Sequence, residues 1–166
     1  MPQSSTRSLG DREARAGEVV KMTHEELAKQ SVELVKPSIE SLFERSNRKE
    51  LHIVIMDPRI KPWESDFNDA ILYQESIQTQ DTWEHPFDDF ARNKAEQAWR
   101  GSQANIVLQT QHPSSLREGD LPFYGSFVYG NVVVACSGVE QWFDMLVSGW
   151  IALAFEQLMV HERQSS

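Results

Sequence analysis

Residues 119–138 read GDLPFYGSFVYGNVVVACSG. Two apolar runs, 123–128 and 132–136, flank Tyr129-Gly130-Asn131. Gly and Asn tolerate the positive φ that tight hairpin turns demand. The stretch therefore predicts two antiparallel strands, the second closed by Ser137-Gly138. A hairpin of this kind places the chain among α/β proteins with an antiparallel sheet and helices packed on it.

Downstream of the hairpin a long C-terminal helix is expected to run to about residue 160. Trp142, Phe143, Leu146, Trp150, Ile151, Leu153, Ala154 and Leu158 make it apolar almost all round. Such a helix needs two covered faces, one on its own sheet and one on something else, which predicts a homo-oligomer. Gly149 would let another backbone approach. The unbroken apolar core of the helix spans residues 145–155, between Asp144 and Glu156. A bilayer crossing takes about 20 apolar residues, so this run reads as a buried helix or an interface and predicts no membrane association.

Upstream, residues 83–100 give the clearest helical pattern. Phe87, Phe90, Ala91, Lys94, Ala95, Ala98 and Trp99 fall on one stripe of period 3.6. Pro86, Asp88 and Asp89 suit the first turn, and Gly101 suits the stop. Residues 105–109 fit either a strand or a short helix. Leu51-His52-Ile53-Val54-Ile55-Met56 reads as a buried strand ended by Asp57-Pro58, and residues 70–75 as its antiparallel partner. Thr23-His24-Glu25-Glu26 is a capping box opening an N-terminal helix. Pro37 lies inside that helix and predicts a kink or a break into two. The reading is one domain over residues 23–162, with a sheet of about five strands, behind a flexible tail over 1–22.

The chain has 166 residues, a net charge of −9 and one cysteine, Cys136. This length carries a core without disulfides or a structural metal. The negative charge argues against nucleic acid as the main partner. No basic-then-apolar secretory segment opens the chain, so a cytoplasmic protein is expected. No two histidines share the spacing of a helical metal pair, and HExxH is absent.

Two stretches carry a family resemblance. Ala91-Arg92-Asn93-Lys94-Ala95-Glu96-Gln97-Ala98 is similar to the ARxKAxTA helix of the GlcG/HbpS-like family, often labelled haem-degrading domains. Gly119 to Gly138, with Leu121-Pro122 and Val134-Ala135-Cys136-Ser137-Gly138, resembles that family's Leu-Pro motif, hairpin and Val-Ser-Gly end. Val139-Glu140-Gln141-Trp142-Phe143-Asp144 suits its acidic entry to the last helix. The resemblance covers roughly residues 25–160. It implies a profilin-like or PAS-like fold, subunits that assemble into dimers or rings, and binding of haem or a related tetrapyrrole, which some members degrade. It implies no secure set of catalytic residues.

The candidate cofactor-binding residues are Arg92, Lys94, His112, Ser137 and Gly138. Lys94 falls within an apolar stripe, where it snorkels, pairs with an acid or meets a ligand carboxylate such as a propionate. Ser137-Gly138 before a helix is an anion-binding turn or a simple cap. His112, next to Pro113 in the loop before Leu121-Pro122, is the expected axial ligand if haem binds, since one histidine suffices. Cys136 is either a thiol activated at the following helix or a small buried residue. Trp63 and Trp83 are expected at a pocket rim, with Trp99, Trp142 and Trp150 in core or interface. The pocket is expected between the 83–100 helix, the 111–122 loop and Ser137-Gly138. The resulting expectation is a haem- or tetrapyrrole-binding protein, and the alternative is a non-catalytic sensor or scaffold acting through protein contacts. No triad or phosphate loop supports an enzyme of small organic acids.

Overall fold

The computed structural model describes residues 21–78 and 80–165. The expected tail over 1–22 lies outside them, except for Lys21 and Met22. In chain order the elements are α1 (His24–Phe43), β1 (Leu51–Met56), β2 (Ile71–Ile77), α2 (Phe87–Gly101), α3 (Asn105–Gln111), β3 (Ser126–Tyr129), β4 (Val132–Ser137) and α4 (Gln141–Ser165). The four strands form one open antiparallel sheet in the order β2-β1-β4-β3. Among the described residues the sheet therefore has four strands rather than about five. The segment open to either reading, 105–109, is helical.

The central strands β1 and β4 are buried along their whole length. That explains why both are continuous apolar runs instead of alternating ones, since each is covered on both faces. Leu51, Ile53, Ile55, Val132, Val134 and Cys136 meet α1 and α4 through Val32, Ile39, Val147, Ile151 and Phe155. On the opposite face Val54, Met56, Val133 and Ala135 meet Ala91, Ala95, Ala98 and Trp99 of α2. Three alanines in the α2 stripe bring that helix close to the sheet.

Local chemistry sets the element ends. Thr23 and Glu26 complete the capping box of α1 reciprocally, a motif whose cap residue alone contributes about 1 kcal/mol. Contrary to the expected kink or break, α1 runs through Pro37 as one helix of 20 residues. Its buried side packs on the sheet on both sides of the proline, through Val32 and Ile39. The left-handed stop of α2 is Ser102, with φ 52°, one residue after Gly101. In the hairpin only Gly130 takes positive φ, 59°, and Tyr129 pairs directly with Val132. The helix α4 is long and apolar enough to cross a membrane by length and composition. Here it packs on the sheet, with Asp144 and Ser148 among its buried residues.

Asn105 ties α3 to the rest. It is fully buried. Its amide nitrogen donates to Lys94 O and Gln97 Oε1, and its Oδ1 accepts from Ser126 N–H, all near 2.9–3.0 Å. Asn93, Gln97 and Arg100 then fasten the loop before β3: Asn93 bonds Gly119 and Leu121, and Arg100 grips Asp120 with two bonds.

Gly138 fixes the exit from β4. Its φ is +148°, and a Cβ there would lie 2.1 Å from Glu50 O and 2.7 Å from Leu51 Cα. Neither backbone atom can retreat without breaking the start of β1. Gly138→Ala is expected to destabilise the fold by at least about 3 kcal/mol, combining overpacking with backbone strain. A urea melt of the variant beside the parent measures this.

Candidate functional site

A cleft of about 430 Å³ opens where α2, β4 and α4 meet. This lies within the roughly 300–1,000 Å³ usual for small-molecule sites. Its walls are aromatic. His85, Phe87 and Phe90 come from the start of α2, Phe123 from the segment before β3, and Trp142 from the first turn of α4. Phe87 and Phe90 meet edge to face at 6.2 Å, and the His85 ring stacks on Phe90 at 6.4 Å. Trp142 is 55% exposed and Phe123 54%. Arg48, from the link between α1 and β1, stands over Phe87 with its guanidinium carbon 5.7 Å from the ring centre.

Polar groups line the bottom of the cleft: Lys94, Ser137 and Asp144, exposed by only 3%, 4% and 1%. Lys94 Nζ donates to Asp144 Oδ2, to Ser137 Oγ and to the Cys136 carbonyl, each at 3.2 Å. An ammonium has three N–H bonds, and these three acceptors use them all. Asp144 Oδ1 accepts the Val139 N–H at 3.2 Å. Gly125 makes room for the group. A side chain there would place its Cβ 2.6 Å from Cys136 O, 2.9 Å from Lys94 Nζ and 3.0 Å from Asp144 Cβ.

Burial pushes the Asp144 carboxyl up to about 7, against the opposing pull of Lys94. A carboxyl that titrates near neutrality, hydrogen-bonded to an ammonium, can give or take a proton from a bound molecule. Burial also pushes the Cys136 thiol far up. It lies inside the core between the sheet and α4, so of its two readings the small buried residue is the one the structure supports.

The five expected binding residues do not all meet. Lys94 and Ser137 line the cleft. Gly138 follows Ser137 but is pressed against Glu50. Arg92 points to the other side of α2, where it pairs with Asp88 and Asp89 and donates to Gln74 Oε1. His112 is exposed, at the end of α3, and does not line the cleft. The Lys94 side chain takes one of its three expected roles, the buried ion pair with an acid. The cleft is bounded by α2 and the Ser137 turn as expected, but its third side is the start of α4 and Phe123 instead of the 111–122 loop.

Trp63 is 81% exposed and lies away from the cleft. Trp83 packs edge-on against Phe87 and His52, and Trp142, expected in a core or interface, lines the cleft.

Asp144, Phe123 and Arg48 are not among the expected site residues, and for His85 a surface or capping role is expected ahead of ligation. The signal for Asp144 was present: a lysine inside one apolar stripe calls for an acid inside another, and Asp144 is the acid of the apolar face of α4. A second buried polar group, His52, lies outside the cleft lining on β1. Its ring nitrogens are 2.7 Å from Ser76 Oγ and 2.9 Å from Gln74 Oε1, and burial lowers its pKa, keeping it neutral. Among the described residues no group of three or more His, Cys, Asp or Glu is placed to hold a metal ion.

Comparison of the chain with protein-family models, with curated proteins and with solved structures finds no match.

The raised Asp144 carboxyl has a consequence for stability. An unfolded Asp titrates near 3.8. Between that value and about 7 the folded chain holds a proton that the unfolded chain has released. This contribution to stability is complete below about pH 4 and is lost as pH rises through 7. From pH 5 to pH 8 the parent should lose about 2 kcal/mol more than Asp144→Asn does. Denaturant titrations at the two pH values compare these slopes, whatever the absolute stability of the variant.

Proposed function

We propose that this chain binds a small organic molecule with a flat apolar body in the cleft between α2 and α4. The carrying observation is the set of aromatic walls above a buried Lys94–Ser137–Asp144 floor. Apolar walls with a few fixed polar groups are the usual make-up of such sites. The sequence resemblance adds a ligand class, haem or a related tetrapyrrole, and a profilin-like fold. It is supported by how its motif stretches meet. Asn93 bonds Gly119 and Leu121, and Lys94 bonds Cys136 and Ser137.

The cleft fits a tetrapyrrole in kind: flat aromatic walls, an imidazole at the mouth and a free cation beside it. Within this reading His85 takes the place first given to His112, because His85 lines the cleft. Arg48 takes the place given to Arg92 and Lys94, whose charges are already paired with Asp88, Asp89 and Asp144. Haem would supply iron-centred redox chemistry, on which any degradation would depend. The protein's own part is to hold the ring between Phe90, Phe123 and Trp142 and to keep a proton available at Asp144.

A second reading, a non-catalytic scaffold of identical subunits, has its own observation. Trp142, Leu146 and Leu153 are exposed along one face of α4. Large apolar patches on a monomer are uncommon.

Two measurements test these readings. Hemin titrated into the parent should develop a Soret band, which His85→Ala shifts and His112→Ala leaves unchanged. An absence of any band in the parent removes the tetrapyrrole reading. Sedimentation should show an oligomer at micromolar concentration that the double variant Leu146→Glu, Leu153→Glu takes apart. A parent that sediments as a monomer removes the scaffold reading.

A further inference from the structure

We propose that the cleft selects an aromatic carboxylate, its ring against Phe90 and Trp142 and its carboxylate on the Ser137 hydroxyl and the Arg48 guanidinium. This rests on the reading of the cleft as a small-molecule site.

Both carboxylates of the lining are engaged on each oxygen. Asp144 takes Lys94 and the Val139 N–H. Glu140, at the rim, takes the Ser46 hydroxyl at 2.6 Å and the Asn47 N–H at 3.3 Å. The strongest internal donor is used too, since Lys94 has three acceptors within the protein. It cannot turn to a ligand without giving one up.

Ser137 and Arg48 each keep a donor to offer. Ser137 Oγ accepts from Lys94, which leaves its own proton to donate, and no acceptor for that proton occurs among the described residues. The bond from Lys94 also draws charge from the oxygen and makes the O–H a better donor. Arg48 forms no ion pair among the described residues. Its position over Phe87 leaves the guanidinium edge free, and that edge matches a carboxylate. The first turn of α4, with Gln141 and Trp142 in the lining, brings the positive end of a helix to the same cleft. Unmet donors, engaged carboxylates and aromatic walls are the complement of a ring carrying an anionic acceptor. An amine would meet two cations, Arg48 and Lys94, and two carboxylates already engaged by protein donors. Asp144 supports the same direction, since its carboxyl is partly protonated near neutrality and an anion nearby favours that form.

The test uses three probes of one shape: 2-naphthoate, 2-naphthylmethanol and 2-naphthylmethylamine, titrated calorimetrically into the full chain at pH 7. The parent should bind the carboxylate at least about tenfold more tightly than the alcohol, and the amine most weakly, as charge-assisted bonds require. Ser137→Ala and Arg48→Gln should each bring the carboxylate close to the alcohol. If removing the Lys94 acceptor unfolds Ser137→Ala, the surface variant Arg48→Gln decides alone. Equal binding of all three probes by the parent overturns the proposal and leaves the cleft reading standing. So does a carboxylate preference that Arg48→Gln leaves intact. If no probe binds and hemin does not bind, the cleft reading fails as well, and the proposal fails with it.

Discussion

The Lys94–Asp144 ion pair is the constraint around which the rest is arranged. It joins α2 on one face of the sheet to α4 on the other, past the end of β4. Two charges this deep are costly to strip of water, and a single missing partner typically costs 3–5 kcal/mol. The surroundings therefore have to be complete. The Cys136 carbonyl and Ser137 hydroxyl fill the remaining positions on the ammonium, and the Val139 N–H covers the second carboxylate oxygen. Gly125 leaves the volume for all of it. The turn at Gly138 is tied to the same arrangement, because it sets where β4 ends and where α4 begins.

Much of this frame could be read from the amino acids. The strand 51–56 was placed to the residue, because six buried positions bounded by Asp-Pro leave few alternatives. The α2 stripe and the hairpin were equally plain, since each rests on a local period or turn. What the sequence left open was decided by distant contacts. Residues 105–111 become a helix because Asn105 is held by Lys94, Gln97 and Ser126, none of them near in sequence. Pro37 fails to break α1 because packing on the sheet holds the helix on both sides of it.

The site was half legible for the same reason. Lys94 stood out as a charge in an apolar stripe, and Ser137 as a turn before a helix. Arg92 lies within a motif stretch and His112 in the loop before one, and proximity along a chain says nothing about which way a side chain turns. Arg92 lies two positions from Lys94, on another side of α2, so its guanidinium meets β2. His85 and Arg48 carry no pattern of their own. They reach the cleft only because the α1–β1 link and the approach to α2 end at the same edge.

The strand order β2-β1-β4-β3 also decides when the protein can fold. The first pair, β1 with β2, closes over residues 57–70 and needs nothing beyond β2 itself. The central pair, β1 with β4, joins Ile53 to Cys136 and must wait for most of the chain. Pairings between such distant residues slow folding, since the loop has to be closed before any contact repays it. Until then β1 offers a free edge of unpaired backbone with apolar side chains on both sides, the kind of template that recruits other strands. On the ribosome this chain therefore passes through a long interval in which its future centre is its most adhesive surface, and the arrival of β4 and α4 ends it.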